Sequence, residues 1–181
     1  TTLALLNLFL PLLSFVILII FGKKIGKSSH WIALPLIGST LGIAVSIFAN
    51  VFMDTGHIIL ETSIPWFSTG SFSVNLGFLI NNEAAIMLLV VALISFLVHF
   101  YSVGYMHGDP RYSRYFAYLG IFTFSMNGIV LADNLVMMYI FWELVGLSSY
   151  LLIGFWFEKN SAADACKKAF LTNRVGDIGM F

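Results

Sequence analysis

The sequence predicts an all-α polytopic membrane protein: at least five full transmembrane helices, the start of a sixth, and a β-hairpin on the outer face between helices two and three. Three observations carry this reading. The 181 residues are 59% hydrophobic and only 10% charged, whereas a soluble domain is nearer half apolar and a quarter charged. Nine basic and nine acidic side chains cannot cover a soluble fold of this size, so the apolar surplus faces lipid. The apolar residues gather into runs of about 20, the length needed to cross a bilayer core. All nine Lys and Arg residues fall in three clusters, each following an odd-numbered run.

Leu3–Phe21 is the first span. No basic segment precedes it and no A-x-A site follows, so it is not a signal peptide. Trp31–Met53 is the second, with Pro35 tolerated near its start. Ala84–Met106, Tyr115–Ala132 and Leu135–Phe157 are the third, fourth and fifth. A sixth helix begins near Ala169 and runs to Phe181. At about 1.5 Å per residue it extends about 20 Å, too short to cross, so the sequence reads as a fragment of a longer protein. The connection from Asp54 to Glu83 is too long for a turn. In it Phe72, Val74, Leu76 and Phe78 alternate with Ser71, Ser73, Asn75 and Gly77, which is strand period. The apolar stretch His57–Ile64 precedes them across Pro65 and Gly70, giving a hairpin that caps the helix ends. The chain divides into residues 1–132, with helices one to four and the hairpin at about 54–83, and residues 133–181, with helix five and the truncated helix six.

The basic clusters are Lys23, Lys24 and Lys27; Arg111 and Arg114; and Lys159, Lys167, Lys168 and Arg174. The connections after helices two and four hold Asp54, Glu61, Glu83 and Asp133, with no Lys or Arg. Short loops rich in Lys and Arg stay cytoplasmic, which puts the amino terminus outside. A formal charge of zero gives no footprint for nucleic acid. The single cysteine, Cys166, excludes a disulfide within the chain and a cysteine-only metal site. His30, His57 and His107 fall in loops, and His99 reads as a packing residue of helix three; no His-x-x-His or Glu-x-x-His pair marks a metal. Gly42, Gly120 and Gly128 read as helix-packing glycines, and Trp31, Trp66 and Trp156 as an interfacial belt.

Five ionisable residues stand out in or beside the apolar spans of helices five and six. Such a group costs roughly 2.5–3.5 kcal/mol at the bilayer centre and is a functional candidate by default. Glu143 is the ninth residue of the fifth helix, with no basic residue on that helix to pair with. Tyr139, Gly146 and Tyr150 share its face, which therefore suits another helix rather than lipid. Burial favours the neutral form of a carboxyl and a nearby cation favours the ionised form, so moving the cation moves the proton. Arg174 and Asp177, three apart on the sixth helix, share a face, either as an intrahelical ion pair or as a gate whose partner exchanges. Lys167 and Lys168 lie one turn before the interior of that helix and either snorkel to head groups or, for Lys168, reach inward.

Three blocks carry a resemblance: HFYSVGYMHGDPRYSRYFAY (99–118), LADNLVMMYIFWELVGLSSYLLIGFWF (131–157) and KKAFLTNRVGD (167–177). In this order they resemble the L-type, fifth antiporter-like subunit of respiratory complex I. The wider family includes the large subunit of multisubunit sodium/proton antiporters, and GYMHGDPRYSRYFAY favours the complex I branch. The resemblance implies two inverted five-helix repeats in the full subunit, with the first beginning within residues 133–181. It implies a proton path through Glu143, Lys168, Arg174 and Asp177, with the lysine partner of Glu143 on a seventh helix. It implies no redox centre in this chain; flavin or another electron input, iron–sulfur clusters and quinone would lie in other subunits. The implied partners are other membrane subunits of complex I, especially a neighbouring antiporter-like subunit, in an energy-transducing membrane. Where the family has an aspartate before helix three, this chain has Ile80-Asn81-Asn82-Glu83-Ala84, so Glu83 is the residue available for that role.

The leading expectation is therefore a proton-translocating subunit of a redox-driven NADH:quinone oxidoreductase. A sodium/proton antiporter subunit is the alternative, and a membrane scaffold with vestigial charges is a third. The orientation is testable directly. Cysteines introduced at Ser28 and Ser68 should react with an impermeant reagent from opposite faces of the membrane, and labelling of both from one face would refute it.

Overall fold

The computed structural model describes residues 2–53, 60–69 and 72–180. Asp54, His57, Gly70, Ser71 and Phe181 lie outside them. The described chain runs α1 (Thr2–Ile25), a 3-10 turn (Gly26–Ser28), α2 (His30–Met53), β1 (Leu60–Thr69), β2 (Phe72–Ile80), α3 (Asn82–Tyr105), α4 (Tyr112–Leu131), α5 (Leu135–Ile153) and α6 (Asn160–Met180).

Each helix of the bundle buries a stripe set by its 3.6-residue period. On α2 the stripe is Ala33, Ile37, Thr40, Ala44, Ile47 and Val51. On α1 it is Ala4, Asn7, Leu8, Pro11, Ser14, Leu18 and Gly22, mostly small or polar groups that admit close approach. The opposite faces carry large exposed apolar side chains such as Leu13, Ile20, Leu97 and Phe100. Water would disfavour so continuous an apolar surface, and lipid does not.

Helix α4 is central and packs against α1, α5, α3 and α2. Its buried residues lie all round its circumference and include Ser113, Thr123, Ser125 and Asn127. Among the described helices α1, α2, α3 and α5 are long and apolar enough to cross a membrane. Helix α4 falls short of that apolarity because its polar groups face other helices. Asn127 Nδ2 donates to the Asn7 carbonyl at 3.1 Å and to Asn7 Oδ1 at 3.0 Å, and Asn7 Nδ2 donates to the Thr40 carbonyl at 2.9 Å. The first of these bonds has a local cause. Pro11 has no N–H, so the Asn7 carbonyl one turn earlier loses its intrahelical donor and takes one from α4 instead. Gly120 tightens the same contact: a Cβ there would lie 3.1 Å from the Pro11 carbonyl oxygen.

Strands β1 and β2 pair antiparallel, with a register shift between Pro65 and Phe67. Proline cannot donate to a ladder, so a break at that position is expected. Strand β2 docks on the α4–α5 connection: Asp133 N donates to the Gly77 carbonyl at 3.3 Å and Asn134 Nδ2 to the Asn75 carbonyl at 2.7 Å. Gly77 is required there, because a Cβ would overlap the Asp133 carboxyl. Asn81 and Asn134 cap α3 and α5 by accepting from Ala84 N and Met137 N.

The three basic connections gather at the other end. Ser113 Oγ sits 2.9 Å and 3.0 Å from the carbonyl oxygens of Gly22 and Gly26. Trp156 Nε1 donates to Asp109 Oδ2 at 3.1 Å, and Arg111 lies 3.3 Å from Glu158.

Several sequence expectations change. The fifth helix ends at Ile153 rather than Phe157, capped at Gly154. The sixth starts at Asn160, not near Ala169, and its 21 residues reach about 32 Å. Its first half, with Asp164, Lys167 and Lys168, is too polar to read as a membrane helix, yet it is helical and α6 packs on α5. Lys167 and Lys168 consequently sit in mid-helix rather than before it. Gly42 meets nothing within 4 Å of a built Cβ and is no packing glycine, unlike Gly120 and Gly128.

The difference between glycines is measurable. Gly120→Leu should separate α1 from α4 and cut the yield of folded protein in membranes severely, at a cost of about 1–3 kcal/mol or more for overpacking. Gly42→Leu should leave yield and thermal midpoint near wild type, and equal effects would contradict the packing described.

Candidate functional site

The charged residues of α5 and α6 meet across one helix–helix contact. Helix α5 holds Tyr139, Trp142, Glu143 and Gly146 within two turns, and α6 presents Phe170, Asn173, Arg174 and Asp177 to them. Close approach is set near the α6 start, where Gly154 lies against Cys166; a Cβ at Gly154 would fall 3.0 Å from the sulfur. Gly146 leaves room beside Asn173 at the level of the charges.

Arg174 Nη1 donates to Glu143 Oε1. Tyr139 Oη donates to the same oxygen at 2.8 Å, from one turn earlier on α5. Arg174 Nη1 also lies 4.0 Å from Asp177 Oδ2, the limit for an ion pair. Asp177 is 6% exposed. Its Oδ1 accepts from Trp142 Nε1 at 3.1 Å, an indole that points across from α5. The Arg174 guanidinium lies 5.1 Å from the Phe170 ring centroid, and Phe170 packs edge-on against Tyr150 at 5.5 Å. Two carboxylates thus share one guanidinium, and each has a second neutral donor from α5. Displacing Arg174 toward either carboxylate would leave the other with its neutral donor from α5.

Three of the four expected residues come together: Glu143, Arg174 and Asp177. The cation on Glu143 among the described residues is Arg174, on the next helix. Arg174 and Asp177 do share a face, but the guanidinium engages Glu143 across the helix pair more closely than Asp177 on its own helix. Lys168 is not brought to the cluster; its side chain is exposed, six residues before Arg174, and its carbonyl accepts from Thr172 Oγ1 at 2.8 Å. Tyr139 and Trp142 are the members that sequence reasoning did not assign. The four-residue spacing of Tyr139 and Glu143 was a usable signal for the first; the indole contact to Asp177 had none, because it depends on how α5 and α6 pack.

His99 is fully buried on α3. Its Nδ1 bonds the Ser95 carbonyl at 2.8 Å, and Ser95 Oγ bonds Thr123 of α4 at 2.6 Å, so it serves helix packing. No group of three or more His, Cys, Asp or Glu side chains is placed to hold a metal among the described residues.

Residues 66–116 match the family described as NADH-ubiquinone oxidoreductase (complex I), chain 5 N-terminus, and residues 132–181 match the one described as NADH:quinone oxidoreductase/Mrp antiporter, TM. The NAD(P)H-quinone oxidoreductase chain 5 of Synechocystis sp. is 49% identical over 144 residues, covering 78% of this chain and 21% of that protein. Its homologues are NAD(P)H-quinone oxidoreductase chain 5 proteins. The chain spans about a quarter or less of the length of the curated chain 5 relatives it matches. A chain of the archaeal membrane-bound sulfane sulfur reductase complex has the same fold, with a TM-score of 0.81 and 22% identity over 98% of this chain and 35% of its own. A chain of the Mrp complex from Dietzia sp. follows with 0.78 and 22%, over 98% of this chain and 18% of its own. The second family match, shared by quinone oxidoreductases and Mrp antiporters, contains the whole charged cluster, Glu143 to Asp177.

The ion pair predicts its own energetics. Glu143→Gln and Arg174→Gln should each destabilise the helix pair more than the double change does, because each single leaves a charge without its partner. A double-mutant cycle in thermal stability should return a coupling of about 1.5–3 kcal/mol, and strict additivity would show that the contact carries no energy.

Proposed function

We propose that the chain acts as a proton-translocating membrane subunit of an NAD(P)H:quinone oxidoreductase, moving protons through buried charges while electron transfer takes place in other subunits. The observation that carries the reading is the Glu143–Arg174 contact across α5 and α6, with Tyr139 on the same carboxylate oxygen. A carboxylate whose cation sits on a separate helix can exchange that cation when the helices move, and an ionisable group in a membrane bundle is a functional candidate by default. The chain 5 homology supports the choice of complex. In this reading five helices cross an energy-transducing membrane, with the amino terminus and the β1–β2 hairpin outside and the basic connections inside. Residues 133–181 begin an antiporter-like repeat. Lys168, exposed here, would pass protons onward, and a neighbouring antiporter-like subunit would complete the path. The chain itself would hold no cofactor; electron input, iron–sulfur clusters and quinone would belong to its partners. The likeness to the Mrp complex favours a sodium/proton antiporter subunit as second reading. Co-purification with quinone-site and iron–sulfur subunits would exclude it.

Glu143→Gln keeps shape and hydrogen bonding but cannot lose a proton. The complex should assemble normally, with proton pumping down about a hundredfold and, because the steps are coupled, reduced quinone reductase activity. Glu143→Asp should retain part of both. A reconstituted Glu143→Gln complex that pumps with an unaltered proton-to-electron ratio would end the proposal.

A further inference from the structure

At the end of the bundle where the basic connections gather, a cavity of about 680 Å³ opens between the end of α1 and the start of α4. Its floor is apolar: Ile19 and the aromatic ring of Tyr118. Its rim holds four cations, Lys23, Lys27, Arg111 and Arg114. Arg111 is committed, paired with Glu158 at 3.3 Å and stacked over Phe157 at 4.9 Å. Lys23, Lys27 and Arg114 have no acidic group within ion-pair reach among the described residues. The acid beside them, Asp109, has both oxygens engaged, by Trp156 Nε1 at 3.1 Å and the Arg111 N–H at 2.7 Å. Among the described residues three positive charges therefore meet a single carboxylate, Asp109, in the cavity lining, a net positive surface that attracts an anion.

The cavity is built into the backbone. Ser113 Oγ ties α4 to the Gly22 and Gly26 carbonyls, and Ser29 Oγ reaches Ser113 Oγ at 2.5 Å. Gly22 permits this approach, since a Cβ there would fall 2.8 Å from that of Ser113. Gly26 makes the turn with φ +54°, a conformation few other residues adopt. The cations are thus presented on a fixed frame.

We propose that this cavity binds the head group of an anionic phospholipid, its phosphate between Lys23, Lys27 and Arg114 and an acyl chain along Ile19 and Tyr118. The cation rim alone would suit any phosphate; the apolar floor beneath it selects a lipid, whose two ends match both surfaces. The assignment rests on the membrane placement proposed above but not on proton transfer, and its readout is independent of pumping.

The test uses the purified membrane complex in nanodiscs containing a trace of photoactivatable phosphatidylglycerol. Label should map to peptides covering residues 18–27 and 108–118. Excess phosphatidylglycerol should compete, whereas phosphatidylcholine or millimolar inorganic phosphate should not. The triple change Lys23→Gln, Lys27→Gln, Arg114→Gln should lower labelling about tenfold. Lys23→Arg with Lys27→Arg should retain it, as should Lys24→Gln, whose charge is outside the cavity lining. Equal competition by phosphatidylcholine, or by inorganic phosphate, would overturn the lipid assignment. So would undiminished labelling of the triple variant, or cross-links from the cavity to a neighbouring protein subunit with no lipid captured. If the complex is labelled here but Glu143→Gln pumps normally, the lipid site stands and the proton-transfer reading falls.

Discussion

Lipid offers no hydrogen bonds, so a polar group carried into a membrane-crossing helix looks for its partner within the protein, on its own helix or on another. That constraint organises this chain more than any apolar contact does. Between lipid-facing helices, apolar packing gains little over packing against acyl chains, and selectivity falls to close backbone approach and polar contacts. The pairing of α1, α2 and α4 follows from it: the Asn7 carbonyl freed by Pro11, the Asn127 amide that takes it, and the Thr40 carbonyl that takes the Asn7 amide form one set of mutually dependent bonds. The small residues around them let the backbones come near enough for short side chains to reach.

The same rule, applied to charge rather than to amides, produces the α5–α6 cluster. An amide pair once formed has no second state, whereas a guanidinium between two carboxylates has at least two. Tyr139 and Trp142 make each of those states tolerable, because a carboxylate or carboxylic acid that loses the guanidinium keeps a neutral donor. The amide contacts and the charged ones therefore differ in degeneracy. Placing the first kind in α1–α4 and the second in α5–α6 separates the part of the chain that holds shape from the part equipped to change.

How far the sequence disclosed this depends on whether a feature is local. The spans, the strand alternation before α3 and the oddity of Glu143 are local and were readable from hydropathy and spacing. Membership of α4 in the bundle centre was legible only as weaker apolarity, since its polar residues look alike whether they face lipid or a partner helix. The early start of α6 was hidden by Asn160 to Lys168, which read as a loop on composition; contact with α5 through Gly154 and Cys166 overrides that composition. The contact of Arg174 with Glu143 and the Trp142–Asp177 bond arise from the rotation of one helix against another, which no single-helix pattern encodes.

The tight contact at Gly154 and Cys166 has a mechanical consequence. It fixes α6 to α5 at a point eight residues, or about 12 Å, below Arg174. With that point as a fulcrum, α6 becomes a lever with the guanidinium on its arm. A tilt of about 10° swings the arm by about 2 Å over that length, enough to exchange a direct ion pair for one bridged by water. A disturbance at the far end of the helix need not be large, nor reach the charges directly, to change which carboxylate the guanidinium meets.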